Sequence, residues 1–163
     1  MPEALFYYPD PSYIIGRFKK RARELKDKKK RHDRKTSIKL DEYSASKRFK
    51  FVISHISEME IKKALMNEEG LTFEQANIVF NEVASSIPNY VKIVEVVEVT
   101  PDVCNIVCRS RLVLGDVLHI LIAARLKIFV ITKESNLEKW KGVYSFVLSS
   151  NQFQEKIKTL QPG

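Results

Sequence analysis

The sequence is short of the residues that mark several protein classes. Its 163 residues include two cysteines, five glycines and six prolines. Two cysteines cannot build a disulfide framework, so we expect a reducing, intracellular setting. Glycine and proline are too scarce for a low-complexity or fibrous chain, and 44% hydrophobic residues argue against disorder. We therefore expect a folded chain with a sizeable apolar core.

Long apolar runs are missing as well. No stretch approaches the roughly 18 apolar residues that a membrane-spanning helix needs. The first residues also lack the order of charge, apolar run and small residues that is typical of a signal peptide. The sequence predicts a soluble, cytoplasmic protein without a membrane partner. Its length predicts a single domain over residues 1–163.

Positive charge is in excess, and one segment carries it. The chain has 28 Lys and Arg residues against 20 Asp and Glu residues, a formal net charge of +8. Residues 17–50 contain 16 basic and 5 acidic side chains, a net charge of +11, so the remaining residues carry −3. This asymmetry indicates a polyanionic partner, although a solvated basic surface is the ordinary alternative. The candidate nucleic-acid-binding residues are Arg17, Lys20, Lys28, Lys29, Lys30, Arg31, Arg34 and Lys35.

Segments of strand length alternate with helical patterns along the chain. The predicted strands cover residues 4–8, 49–54, 90–97, 127–132 and 144–148. The predicted helices start at Pro11 or Ser12 and then cover residues 57–66, 72–85, 101–110, 114–124 and 151–160. This alternation is typical of an α/β domain with a mostly parallel central sheet and helices on both faces.

Four carboxylates stand at the ends of these elements. Asp10 and Glu134 each follow a predicted strand, Glu60 lies early in the helix after the second strand, and Asp116 begins a nearly all-apolar helix. Because ligands of an open parallel sheet bind beyond the carboxyl ends of its strands, we expect the four side chains to converge. Clustered carboxylates repel one another unless a cation neutralises them, and oxygen donors favour Mg²⁺ or Mn²⁺ over Zn²⁺. Such a cation beside a basic surface is an arrangement that hydrolyses phosphodiesters.

Four sequence blocks resemble those of the PIN domain family, in the family's order and spacing. They are residues 10–15 (Asp-Pro-Ser-Tyr-Ile-Ile), 54–61 (Ser-His-Ile-Ser-Glu-Met-Glu-Ile), 114–120 (Leu-Gly-Asp-Val-Leu-His-Ile) and 130–137 (Val-Ile-Thr-Lys-Glu-Ser-Asn-Leu). The resemblance implies a three-layer PIN-like fold and a metal-dependent ribonuclease, either the toxin of a toxin–antitoxin pair or an RNA-processing enzyme. The catalytic and metal-binding residues it implies are Asp10, Glu60, Asp116 and Glu134, with Ser12, Thr132 and His119 in support.

The chain departs from the family pattern at three places. Glu134 stands where aspartate is usual, Pro9 and Pro11 flank Asp10, and the lysine-rich stretch at residues 26–35 is long. A catalytically degenerate module that binds RNA or protein is therefore the alternative, and a DNA nuclease is a third interpretation. The implied partners are RNA and, for a toxin, a small antitoxin protein. Homodimers are common among such toxins, and the oligomeric state stays open.

The candidate site residues also have ordinary structural explanations. Asp10 and Asp116 are typical of helix N-termini. Glu60 fits a capping box that begins at Ser57. His119 fits a packed core histidine whose ring is satisfied by neighbours.

Two further groups are expected in the core. Cys104 and Cys108 are four residues apart, which places both on one side of a helix. Buried thiols explain them better than zinc, since the sequence offers no second ligand pair. Tyr7, Tyr8 and Tyr13 are expected to be core aromatics rather than platforms for stacking bases.

Overall fold

The computed structural model describes residues 5–27, 49–87, 90–93, 98–133, 135 and 137–160. The strands within these ranges are β1 (Leu5–Pro9), β2 (Phe49–Ser54), β3 (Tyr90–Ile93), β4 (Phe129–Thr132) and β5 (Val147–Ser149). The helices within them are α1 (Pro11–Lys26), α2 (His55–Glu69), α3 (Phe73–Ser86), α4 (Pro101–Ser110), α5 (Leu114–Leu126), α6 (Leu137–Val143) and α7 (Ser150–Leu160). None of these described helices is long and apolar enough to cross a membrane.

The five strands form one parallel sheet in the order β3-β2-β1-β4-β5. The chain moves outward from β1 to β2 and β3, and then returns to the other side of β1 with β4. The order therefore reverses between β1 and β4, which is the topological switch point where open α/β sheets bind ligands. Pro9 pairs with Ile131, so the next residues, Asp10 and Thr132, lie side by side at the carboxyl edge of the sheet.

Side chains of β1 alternate between two apolar layers. Tyr7 belongs to a core cluster with Phe18 of α1 and Phe153 of α7, while Tyr8 belongs to a second cluster with Ile120 of α5 and Trp140 of α6. Helices α1, α2, α3 and α7 pack on the first side of the sheet, and α4, α5 and α6 pack on the second. The predicted three-layer α/β architecture with a parallel sheet is confirmed.

Capping residues explain where α2 and α3 begin. Ser54 is the N-cap of α2, because its hydroxyl oxygen accepts the Ser57 N–H at 3.2 Å. Helix α2 therefore starts at His55, two residues before the predicted start. Thr72 and Gln75 form a reciprocal capping box at the start of α3. The capping box suggested for Ser57 and Glu60 is wrong, because Ser57 already lies inside the helix.

Several element boundaries differ from the prediction. Helix α6 was not predicted, since seven residues with one buried side chain, Trp140, give no clear helical period. Strand β4 starts at Phe129 because Lys127 takes a left-handed conformation, with φ of 56°, at the end of α5. Strand β5 starts at Val147 rather than at residue 144. Residue 4 and residues 94–97, which were assigned to strands, lie outside the described residues.

The two cysteines are exposed, so the prediction of buried thiols is wrong. Helix α4 buries only Val103 among its ten residues. Cys104 and Cys108 lie about 100° and 140° around the helix from Val103, so both turn away from the core. The four-residue spacing correctly placed the thiols on one side of α4, but it did not indicate which side faces the sheet.

Candidate active site

Asp10 directly follows strand β1 and is 3% exposed. Its backbone N–H donates to the Ile131 carbonyl at 2.9 Å, which ties the end of β1 to β4. Its Oδ2 atom accepts hydrogen bonds from the Ser12 hydroxyl at 2.5 Å, the Ser12 N–H at 3.2 Å and the Thr132 hydroxyl at 3.2 Å. Ser12 Oγ in turn accepts the Lys133 N–H at 3.2 Å. One carboxylate oxygen is thus fixed by two segments that are distant in sequence.

Burial is the main influence on the Asp10 carboxyl, and it raises the pKa of that group above its ordinary value. His119 and the hydrogen bonds from Ser12 and Thr132 oppose the rise without cancelling it. The charged form of Asp10 is consequently held in a poorly hydrated place with neutral hydroxyls as close partners. A carboxylate in such surroundings is stabilised by a nearby cation, and perturbed acids of this kind are common at functional sites.

Glu60 extends from α2 toward α5. Its Oε2 atom lies 2.9 Å from Nε2 of His119, which is completely buried. Its Oε1 atom lies where a side chain at position 115 would be, since a Cβ atom on Gly115 would be 2.6 Å away. Glu58 lies on another side of the helix and pairs with Lys62 and Lys92. Glu58 and Glu60 therefore face different surroundings, as expected of residues about 200° apart around a helix.

Asp116 lies in the first turn of α5, directly after Gly115. It is partly buried. It precedes His119 by three residues, a spacing that places both on one side of the helix. A negative charge is favoured by the helix dipole in the first turn, which is an ordinary position for an acidic residue.

A buried tyrosine, Tyr8, connects the surroundings of Asp10 with the pair formed by Glu60 and His119. The Tyr8 hydroxyl lies 2.6 Å from Nδ1 of His119 and 2.6 Å from the Ser54 hydroxyl. Burial above all raises the pKa of Tyr8, and the negative charges of Asp10 and Glu60 raise it further. Both carboxylates are therefore near enough to influence the same buried hydroxyl.

The described residues do not form a closed metal cage. No group of three or more His, Cys, Asp or Glu side chains in the described part of the chain is arranged to hold a metal ion. Glu134, the fourth predicted ligand, lies outside the described residues. The structure brings Asp10 together with Ser12 and Thr132, and it joins Glu60 to His119.

The donor chemistry nevertheless fits a hard cation. Mg²⁺ usually keeps several waters and binds through one or two carboxylates plus substrate phosphates, so a complete protein cage is not required. Asp10, with its buried carboxylate, offers the kind of oxygen donor that such a cation prefers. The thiols of Cys104 and Cys108 lie exposed on α4, so the site residues themselves provide no sulfur ligands. Asp10, Glu60 and Asp116 are therefore oxygen donors of the kind that suits Mg²⁺ or Mn²⁺.

Some basic residues of the segment 17–50 form ion pairs between neighbouring helices. On α1, Lys19 pairs with Glu68, and Arg21 pairs with Glu82 at 2.8 Å. Arg23 pairs with Glu69, also at 2.8 Å. Of the predicted nucleic-acid-binding residues, Arg17 is half-buried on α1 and Lys20 is exposed there. The other predicted binding residues lie outside the described residues: Lys28, Lys29, Lys30, Arg31, Arg34 and Lys35.

Sequence reasoning missed three contributors to the site: Tyr8, Ser54 and Gly115. Tyr8 is buried, as expected of a core aromatic, but its hydroxyl also makes polar contacts. A signal was present, because a buried tyrosine hydroxyl usually needs a partner and Tyr8 is two residues before Asp10. The close approach at Gly115 left no such signal, since glycine in a first helical turn has other common explanations.

Comparison with solved structures finds a protein with a similar fold. No family model matches the chain, and no curated protein matches it. The chain is similar to the crystal structure of PAE2754 from Pyrobaculum aerophilum, with 12% identity over 96% of this chain and 98% of that chain and a TM-score of 0.55. It is also similar to SSO1118, a PilT N-terminus domain protein from the hyperthermophilic archaeon Sulfolobus solfataricus P2, with 13% identity over 98% of both chains and a TM-score of 0.46. The similarity to PAE2754 shows a shared fold, and the chemistry has to be argued from the site.

Proposed function

We propose that this protein is a PIN-type endoribonuclease that hydrolyses RNA phosphodiester bonds with Mg²⁺ or Mn²⁺ held by Asp10, Glu60 and Asp116. The observation that carries the proposal is the position of Asp10, buried at the switch point of the sheet and fixed by Ser12 and Thr132. The resemblance of four sequence blocks to the PIN family supports the same chemistry. Glu134 is a further candidate ligand because of its place in the fourth block.

The residues of the site prepare the reaction by holding acids in defined orientations. Bound Mg²⁺ or Mn²⁺ supplies an acidified water and a positive charge close to the phosphate. Ser12 and Thr132 donate to Oδ2 of Asp10, so rotation of this carboxylate is restricted before substrate arrives. The contact between Nε2 of His119 and Oε2 of Glu60 holds a proton between the ring and the carboxylate. Fixed groups of this kind need little reorganisation when the reacting phosphate binds.

RNA cleavage by an Asp116→Asn variant tests the proposal. We expect Mn²⁺-dependent cleavage of a mixed single-stranded RNA to be lost, while circular dichroism and thermal unfolding stay close to those of the wild type. Asp102→Asn is the matched control, because Asp102 also lies in the first turn of a helix, α4, and is exposed. Full cleavage by Asp116→Asn would contradict the assignment, and DNA assayed in parallel would reveal a DNA nuclease.

A second function is a PIN-like module that binds RNA or protein without cleaving. It is favoured by one observation, namely that the described residues contain no ready group of three metal ligands. Calorimetric titration with Mn²⁺ separates the two functions, since the nuclease requires a saturable site that Asp10→Asn weakens. RNA binding without saturable Mn²⁺ binding would favour the module.

Two partner proposals follow from the toxin interpretation. A small antitoxin protein would bind the chain and block cleavage, and the toxin would form a homodimer. Co-expression with a small neighbouring gene product tests the first proposal, and light scattering of the purified protein tests the second. A monomer that cleaves RNA and has no such neighbour would instead favour an RNA-processing enzyme.

A further inference from the structure

We infer that Tyr8 is a positioning residue that fixes the Glu60 carboxylate through the ring of His119. The catalytic consequence rests on the proposed function, whereas the arrangement itself rests on contacts within the folded chain. Tyr8 belongs to β1, His119 to α5 and Glu60 to α2, so the three residues connect a central strand to helices on both sides of the sheet.

The contacts form a continuous series of polar groups that is buried up to His119. The Tyr8 hydroxyl lies 2.6 Å from Ser54 Oγ, 3.0 Å from Ser57 Oγ and 2.6 Å from His119 Nδ1. The other ring nitrogen of His119, Nε2, lies 2.9 Å from Oε2 of Glu60. Tyr8, Ser54, Ser57 and His119 are all 0% exposed. Water therefore cannot replace the contacts among these four residues without opening the core, and buried polar groups of this kind are costly when they lose a partner. Glu60, whose side chain is 35% exposed, is the end of the series that solvent reaches.

Hydrogen-bonding capacity links these groups into one series. Nε2 of His119 and Oε2 of Glu60 share one hydrogen, and the Tyr8 hydroxyl, which can both donate and accept, meets the other ring nitrogen. The Tyr8 oxygen also contacts Ser54, whose own oxygen accepts the Ser57 N–H at 3.2 Å. The series therefore starts at the N-terminus of α2 and ends at Glu60 on the same helix.

A second contact confines the same carboxylate from the other side. Oε1 of Glu60 occupies the space beside Gly115 that any larger residue would fill, since a Cβ atom there would be 2.6 Å away. Helix α5 therefore limits both oxygens of Glu60, one through the ring of His119 and the other through its backbone. Asp116 follows Gly115 directly, so the backbone that Glu60 contacts belongs to the same helical turn as a second carboxylate of the proposed site.

Replacing Tyr8 by phenylalanine removes the hydroxyl that contacts Nδ1 of His119 and so holds the ring in place. Residues that orient a ligating side chain typically contribute about 10–100-fold to activity or metal affinity. We therefore expect Tyr8→Phe to lower kcat about 10–100-fold with little change in KM, because Glu60 loses its orientation while the RNA-binding surface is untouched. Tyr7→Phe is the matched control, since Tyr7 is the neighbouring residue of β1, is 1% exposed and packs on the opposite side of the sheet.

Nitrogen-15 NMR of the His119 ring tests the inference without reference to activity. The wild-type Nδ1 signal is expected to show a hydrogen bond to the Tyr8 hydroxyl, and Tyr8→Phe is expected to shift this signal because that partner is lost. Tyr7→Phe should leave the His119 signals in place. A wild-type Nδ1 signal that shows no hydrogen bond would overturn the inference even if Tyr8→Phe does not fold.

The kinetic and spectroscopic results separate this inference from the proposed function. If the wild type does not cleave RNA, the proposed function fails, while the NMR measurement still decides whether Tyr8 fixes His119. If the wild type cleaves RNA and Tyr8→Phe does so at the same kcat with unchanged His119 signals, the positioning role is refuted and the nuclease assignment stands.

Discussion

The Oε1 atom of Glu60 lies against the backbone of Gly115, at a place where a Cβ atom would come within 2.6 Å of it. Gly115→Ala should therefore displace the Glu60 carboxylate. Because this carboxylate is the end of a flexible side chain, the displacement should change the free energy of unfolding by less than about 1 kcal/mol. RNA cleavage should fall at least about tenfold, which is the scale of losing the orientation of one ligand.

Gly142→Ala is the control for this change. Gly142 lies in α6, and a Cβ atom there would meet nothing within 4 Å. The variant should cleave RNA like the wild type. Equal cleavage by Gly115→Ala and Gly142→Ala would show that the position of Glu60 does not matter for the reaction.

Gly16→Ala should stabilise the protein. Gly16 is exposed inside α1, and an added Cβ atom would meet nothing within 4 Å. Alanine is favoured over glycine in a helix interior by about 1 kcal/mol, so the free energy of unfolding should rise by about 0.5–1 kcal/mol. Urea unfolding measures the change, and an unchanged or lower midpoint would contradict the helical environment described for residue 16.

Asp10→Asn should make the metal-free protein more stable at neutral pH while abolishing cleavage. Burial raises the pKa of Asp10 in the folded state, so its proton is bound more tightly there than in the unfolded chain. The folded wild type is therefore relatively more stable at low pH and loses this advantage as the pH rises through the raised pKa. Thermal unfolding in the presence of a chelator should show a higher midpoint for Asp10→Asn at pH 7–8 and a difference that shrinks toward about pH 4.

Adding Mn²⁺ should make the wild type unfold at a higher temperature than Asp10→Asn. A cation that binds only the folded wild type raises its unfolding midpoint, whereas Asp10→Asn should respond weakly. Asp102→Asn, which changes an exposed acid on α4, should respond like the wild type. An equal Mn²⁺ response in Asp10→Asn and the wild type would remove Asp10 from the set of ligands.

The sequence alone predicts a helix or strand well when the contacts that determine its ends lie close together in the chain. Strand β2 was predicted with its correct bounds, since a buried apolar run ends at Ser54. Helix α4 was also predicted with its correct bounds, since Thr100 followed by Pro101 marks a helix start. The start of α3 at Phe73 was missed by only one residue, because Thr72 is the N-cap rather than the first helical residue. These signals lie within a few residues of the element they determine.

The contacts of the candidate site are mostly not local. His119 is 59 residues from Glu60 and 111 residues from Tyr8, and no short-range pattern connects them. What the sequence did predict is the edge of the sheet at which Asp10 and Thr132 meet, because parallel strands bring their carboxyl ends together. The roles of the acids in binding metal and in catalysis stay predictions.

The lysine-rich stretch should contribute more to RNA binding than the basic residues of α1 that are paired with acids. Replacing Lys28, Lys29 and Lys30 together by alanine should lower the slope of log affinity against log salt by up to about 2, at about 0.7 for each phosphate contact on a single strand. Arg21→Gln should leave the slope nearly unchanged, because Arg21 pairs with Glu82. Filter binding across a salt series measures both slopes, and the reverse ranking would place the RNA on α1.

Chelator-reversible cleavage of single-stranded RNA tests the central claim most directly. The wild-type protein is incubated with mixed RNA in Mn²⁺, then with excess EDTA, and then with Mn²⁺ restored. A nuclease whose carboxylates at the carboxyl edge of the sheet hold the cation should cut in the first condition, stop in the second and resume in the third. Cleavage that persists in EDTA, or a folded protein that does not cut RNA in Mn²⁺, would contradict the account.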